Sequence, residues 1–501
     1  MVSIVDNRFN KNVISNILYL LISSFFGFFL VPYYIENLHI GAYAIIPLST
    51  SLSAFVILIS ESVNISVQRY ITIAIQQNNH YQAKILFNTS LFTTFYLALL
   101  FIPISIMVAL IASWIVKIPG IESQSLFLVF LIMLLIALFT SWCCNFSNIL
   151  FAKHRLYLIN IIKHTQLLIQ FGVLYLFFTM GSTTLTSVVV SYAISVIVFF
   201  MGLIICVHRI YPLEVSHHYY RVSEIKNIYG LGFWNVVNSL GNILFLEMSL
   251  IIANFILGLD VGGHFSLCTK VISVAIMGAA AISYSFSPPL FGLYSKRDFQ
   301  KLKKVGVISV KTVGIVISVI ISTLMVYSRE LIEIWVGPGF EDILLSFKIM
   351  LFALAISCFV MPTYCISVMQ LKMKLPSIVT LILGLLNVGL AVVLTSFLGM
   401  GMVGIAFAWA VTIVLKNCIF NSFYHSRLLF GNYYGFVIPF LTIVGCFTIS
   451  CLINYCIYCV ILPISFGGAL LVTSIYSTMI VLVLLRRDLR VIVSMDASIT
   501  E

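Results

Sequence analysis

Charge is what this chain has least of. Only 9% of its 501 residues are Asp, Glu, Lys or Arg, and carboxylates number 16, whereas soluble domains carry about 25% charged residues. A water-exposed surface is therefore excluded. Long polar stretches are also missing: the longest, His208 to Asn227, is too short to fold as a domain, so no soluble catalytic module is present. Phosphate-loop chemistry is unsupported, because Gly306 to Thr312 lacks the second glycine of such a loop, and ATP use is not expected. The eleven cysteines lie almost entirely inside apolar runs, and Cys456-Ile-Tyr-Cys459 has redox spacing without a soluble βαβ context. No metal and no cofactor are expected. The histidines His39, His80, His154, His164, His208, His217, His218, His264 and His425 fall in loops or at the ends of apolar runs and make no catalytic set, so an enzyme is not expected.

What the chain does have is hydrocarbon: 61% of residues are hydrophobic and the mean hydropathy is +1.13. They are grouped into about fourteen runs of roughly 20 residues, the length needed to cross a bilayer as a helix. The runs begin with Val13 to Tyr34, Gly41 to Val67 and Ile85 to Val116. The fifth to ninth are Tyr157 to Met180, Ser187 to Val207, Tyr229 to Gly258, Gly263 to Leu293 and Val305 to Tyr327; the twelfth is Met402 to Asn421 and the last Gly467 to Leu485. The first run exceeds a signal-peptide core and no small-residue cleavage site follows it, which predicts an uncleaved first span.

The connections alternate in charge. Every second one, starting from Arg8 and Lys11, is basic, including Lys153 and Arg155, the five cations from Lys296 to Lys304, and Arg486, Arg487 and Arg490. The others hold mainly Glu36, Glu122, Asp260, Glu330, Glu333, Glu341 and Asp342. Positive-inside bias then puts both termini in the cytoplasm and requires an even number of spans, hence fourteen. The net charge of +11 is accounted for by this topology and by lipid headgroups, with no nucleic acid involved.

The chain also repeats. Asn79-His80-Tyr81-Gln82-Ala83-Lys84 after span 2 matches Arg297-Asp298-Phe299-Gln300-Lys301-Leu302 after span 8, and Leu38-His39-Ile40-Gly41 matches Leu259-Asp260-Val261-Gly262. Both pairs are six spans apart, which predicts two parallel six-helix lobes related by a pseudo-twofold axis along the membrane normal, with the substrate path between them. The division expected is residues 1–207 for the first lobe, 208–228 for a cytoplasmic linker, 229–422 for the second lobe, and 423–501 for two further helices and a tail.

Fourteen spans in a six-plus-six-plus-two arrangement, the turn Leu398 to Gly404, the outer loop Ile334-Trp335-Val336-Gly337-Pro338-Gly339-Phe340 and the span-7 run from Gly232-Phe233-Trp234-Asn235 to Gly258 together resemble polysaccharide flippases of the MOP exporter superfamily. The resemblance implies an all-α polytopic, MOP/MATE-like fold. It also implies a flippase that moves undecaprenyl-pyrophosphate-linked oligosaccharide, an O-antigen or other surface-polysaccharide unit, to the outer face of the bacterial inner membrane by alternating access. Polymerases and glycosyltransferases of the same pathway are the implied partners besides membrane lipids. In related lipid-linked flippases the two extra helices provide a groove for the lipid tail. Two rival readings are a cation-coupled MATE-like exporter of soluble compounds and a membrane polymerase or ligase, although no large outer loop is present for the latter.

Charges inside spans cost about 2.5–3.5 kcal/mol each and mark cavities or partners. Lys163, Lys311 and Lys416 are read either as snorkelling to headgroups or as a cationic vestibule for a pyrophosphate. Lys270 and Glu247 lie deeper, on consecutive spans, as an ion pair or a transport site. Asn235, Asn238 and Asn242, with Ser249, fall on one arc of span 7 and are substrate-binding candidates. Glu247 and Glu61 are the coupling-ion candidates. Pro288 and Pro289 either kink span 8 or end it.

Overall fold

The computed structural model describes residues 2–118, 120–212, 214–461 and 465–499, with side chains described outside 2–10, 13, 17, 59, 61–63, 65–66, 226–232 and 487–499. Among these residues the regular structure is entirely helical. Fourteen runs are long and apolar enough to cross a membrane. In order they are Ile14–Leu38, Ile40–Leu58, His80–Ile115, Ser123–Ala152, Leu156–Thr179, Leu185–Ile210, Phe233–Leu257, Leu259–Ser295, Phe299–Val326, Glu341–Met369, Lys374–Phe397, Gly401–Phe430, Val437–Ile461 and Phe466–Arg486. They are spans 1 to 14 below.

The tandem prolines do not end span 8. One helix stops at Ser285 and a second, Ser287–Ser295, resumes with proline in its first turn, where the missing N–H costs nothing. Span 12 also outruns its apolar stretch, continuing beyond Asn421 to Phe430.

The internal repeat is written in backbone conformation. His39 (φ 63°, ψ 160°) separates spans 1 and 2, and Gly258 (φ 93°, ψ 168°) separates spans 7 and 8; the offset is 258 − 39 = 219. Asn78 (φ 58°) and Arg297 (φ 57°) are also 219 apart. The residues after them, Asn79 and Asp298, each cap a helix by accepting from the N–H three residues on. A single offset thus replaces the two unequal ones suggested by residue identity. Gly41 and Asp260 are counterparts at the same offset, and a Cβ at Gly41 would lie 2.6 Å from the Asp260 carboxylate.

Two compact units make up the chain: Met1–Ile243 with Leu250–Gly263, and Leu244–Ser249 with His264–Glu501. Lipid tails are as apolar as leucine, so helices associate through close packing and interhelical hydrogen bonds, each worth about 0.6 kcal/mol on average. In the first unit Asn145 is fully buried; it accepts from Ser90 (2.5 Å) and donates to Thr94 (2.8 Å), tying span 4 to span 3. An apolar core of Val67, Ile71, Phe87, Phe146, Phe199 and Leu203 packs beside it. In the second unit Asn454 of span 13 donates to Ser322 of span 9 (2.9 Å), and buried Tyr327 bonds Thr473 of span 14 (3.1 Å). Spans 13 and 14 are thereby docked on span 9.

Candidate functional site

In the second unit, a buried polar junction joins spans 7, 11 and 12. Asn387 of span 11, wholly buried, donates to the carbonyls of Leu244 (2.9 Å) and Phe245 (3.2 Å), and its Oδ1 lies 3.4 Å from the Thr412 hydroxyl. It also contacts Ser249 Oγ at 3.2 Å. One amide therefore fixes a turn of span 7 against spans 11 and 12. Just beyond Thr412 the helix widens into a π segment, Leu415–Asn421, a form concentrated at functional sites. Lys416 lies in it, with its ammonium 4.5 Å from the centre of the Phe245 ring, two residues from Glu247. Because span 12 runs on to Phe430, Lys416 is about 21 Å of helix from that end. Its ammonium is turned to the Phe245 ring inside the second unit.

The partner of span 12 is irregular too. Span 10 passes through a 3₁₀ segment, Cys358–Thr363, that contains Pro362. His425 bridges the two spans: Nδ1 lies 2.7 Å from Thr363 Oγ1 and Nε2 2.9 Å from Ser367 Oγ. Thr363 already donates to the Val360 carbonyl, so it accepts from Nδ1–H and leaves Nε2 to accept from Ser367. With 1% of its surface exposed, His425 is a buried group that sequence reasoning placed at a span end.

The other candidates are dispersed. Lys163, in the first unit, holds its ammonium 5.1 Å from the Tyr19 ring, beside the clamp in which Asn160 donates to Ser15 and Asn16. Lys270, Lys311 and Glu247 are half-buried in the second unit. Asn235 and Asn238 are half-buried, Asn242 is exposed and Ser249 is buried against Asn387. The span-7 stripe therefore passes through different environments along its length. Glu61 lies outside the described residues. Among the described residues no cluster of His, Cys, Asp or Glu could hold a metal ion.

Sequence reasoning also missed how the long connection after span 6 is held. Asn88 of span 3, wholly buried, donates to the Glu214 carbonyl (3.0 Å) and accepts from the Ser216 N–H (2.9 Å). Thr89 accepts from the Arg221 N–H, Tyr96 bonds His217, and Lys84 pairs with Glu214 at 3.5 Å. His80 bonds Tyr211, whose ring lies 4.2 Å from the Lys153 ammonium. Burial, and then Arg155, lower the pKa of Lys153, while burial raises that of Tyr211. The connection is a strap bonded along the end of span 3.

The fold defined by these elements is that of the MOP-superfamily transporters. A MOP-superfamily transporter from Pyrococcus furiosus, described as having reversed binding-pocket polarity, superposes with a TM-score of 0.63 over 88% of this chain and 96% of its own, at 12% identity. A multidrug-resistance MATE transporter in its inward-facing conformation gives 0.62 over 87% and 98%, also at 12% identity. In sequence, the chain is 26% identical over 429 residues to the uncharacterized membrane protein EpsK of Bacillus subtilis (strain 168), covering 84% of each. No family model matches the chain.

Proposed function

We propose that the protein is a flippase for polyprenyl-pyrophosphate-linked oligosaccharide, acting by alternating access in a bacterial inner membrane with both termini cytoplasmic. The observation that carries this reading is the sign and depth of the intramembrane charge. Lys416 is mid-helix on a π segment, and Lys163, Lys270 and Lys311 are also half-buried within spans, against the half-buried carboxylate of Glu247. Such a cationic excess suits an anionic cargo. A pyrophosphate cannot enter hydrocarbon without partners for its oxygens, and lysine ammoniums supply them. A membrane potential negative inside favours outward movement of an anion by about 2.3 kcal/mol per charge per 100 mV. Membrane lipids surround the polyprenyl tail, and glycosyltransferases and a polymerase of the pathway are the partners this role implies.

A second reading, cation-coupled export of a soluble compound, is favoured by the MATE transporters among the structural neighbours and by half-buried Glu247. The two separate in a deletion strain. Flippase loss leaves complete lipid-linked units accumulated on the inner face and abolishes their appearance outside. Normal surface glycan together with increased sensitivity to a toxic cation would overturn the flippase reading. Normal export of single units that then fail to lengthen would point to a polymerase.

A further inference from the structure

The π segment of span 12 is not the work of a helix breaker. Leu415-Lys416-Asn417-Cys418-Ile419-Phe420-Asn421 contains neither proline nor glycine, the usual sources of such irregularity. The helix is instead fastened at both ends of the segment. Upstream, Thr412, whose hydroxyl donates to the Ala408 carbonyl (2.7 Å), is packed against Asn387 Oδ1 at 3.4 Å, and Trp409 is fully buried. Downstream, His425 is fixed to Thr363 and Ser367, Tyr424 donates to the Lys372 carbonyl (3.1 Å), and the Leu428 carbonyl accepts from Gln370 (3.1 Å). A π turn accommodates one residue more than an α turn. If the segment relaxed to α-helix with the upstream end held, everything downstream would swing by about 100° and His425 would leave its partners. With the downstream end held, Lys416 would swing by the same angle and leave Phe245.

We propose that His425 is a positioning residue: its two hydrogen bonds to span 10 hold one extra residue in span 12, and that insertion aims Lys416 at the Phe245 turn of span 7. The proposal rests on the reading of Lys416 as a phosphate-contacting cation, and its test separates the two. Inside the segment, the Cys418 thiol is bonded to the Ile356 carbonyl at 3.1 Å and reports the geometry without reference to transport.

In cells, His425→Leu lowers surface glycan about tenfold at near-normal protein abundance, matching Lys416→Ala, and the double variant loses little more. His425→Asn, whose amide nitrogen takes the place of Nδ1, recovers part of the activity. In purified protein with exposed Cys456 and Cys459 changed to Ser, His425→Leu speeds labelling of Cys418 by N-ethylmaleimide about tenfold over the parent chain. Unchanged labelling in His425→Leu overturns the positioning role, even where transport is lost. Full transport in Lys416→Ala at normal abundance overturns the phosphate reading, while the labelling result still decides the geometry. Should His425→Leu fail to reach the membrane, Ser367→Ala decides instead: it removes one of the two bonds that fix His425 and leaves the histidine in place. Faster labelling of Cys418 in that variant than in the parent is the expected result, and unchanged labelling overturns the proposal.

Discussion

Replacing Asn88 by Ala should free the strap after span 6 without unfolding the protein. The side chain is wholly buried and makes two bonds to strap backbone, one to the Glu214 carbonyl and one from the Ser216 N–H. Each is worth about 1 kcal/mol net of solvation, so their loss weakens closure of the strap by about 2 kcal/mol. The Lys84–Glu214 pair does not compensate, because its members are 31% and 60% exposed and such pairs contribute at most about 1 kcal/mol. A loss of about 2 kcal/mol raises the population of the open strap about 30-fold. Trypsin cleavage after Arg221, whose N–H is held by Thr89, reports that population when opening is fast relative to cutting. Asn88→Ala in detergent should therefore be cut about 30-fold faster than the parent. Asn88→Asp, which keeps the acceptor for Ser216 and loses the donor, should fall between them. Equal cleavage rates in parent and Asn88→Ala would refute the strap. A large drop in melting temperature with no preferential cut at Arg221 would show that Asn88 serves the helix core instead.

The paired turns give a cleaner backbone test. His39 occupies a conformation open in practice to glycine alone, at a cost of about 1–3 kcal/mol, so His39→Gly should stabilise by about 1 kcal/mol after the added entropy of the unfolded chain. Gly258→Ala, with nothing within 4 Å of the new methyl, should destabilise through backbone strain alone; thermal unfolding in detergent measures both, and effects of the same sign would sink the argument. Lys270→Ala should lower glycan display while the protein reaches the membrane in normal amount, with Lys270→Arg retaining part of the activity. If either neutralisation of Lys270 or Glu247 instead reduces folded protein and the double neutralisation restores it, the two residues form a structural ion pair and the binding role is lost.

The fourteen spans were legible because hydrocarbon leaves a chain so few options: every backbone polar group must be bonded internally, so each apolar run of about 20 residues becomes a helix. Ends were less legible. Ser422–Phe430 looks like a polar loop by composition, yet His425 and Ser426 are buried there with hydrogen bonds inside the protein. The helix therefore continues, and Lys416 moves from near an end to the middle. The repeat was visible as residue identity but misaligned by it, since what recurs is a left-handed residue followed by a cap. Asn and Asp serve equally as the cap, and His stands where the other half has Gly.

The site was legible only in part, for a related reason. An intramembrane lysine announces itself through its insertion cost, so Lys416 could be read from the sequence. Its direction could not, because a helix carries no residue-level sign of a π turn enforced from outside. The cause lies in hydroxyls 62 and 58 positions away in the chain, Thr363 and Ser367 bonded to His425. Hydroxyls in a membrane helix ordinarily bond the preceding turn, as Thr380 and Ser377 do, and that habit makes the few that reach another helix indistinguishable by sequence. Asn88 is hidden in the same way among the polar residues at the start of span 3. In such a protein the residues that carry charge are read from composition, while those that aim it are buried hydroxyls, amides and one histidine whose partners only the fold supplies.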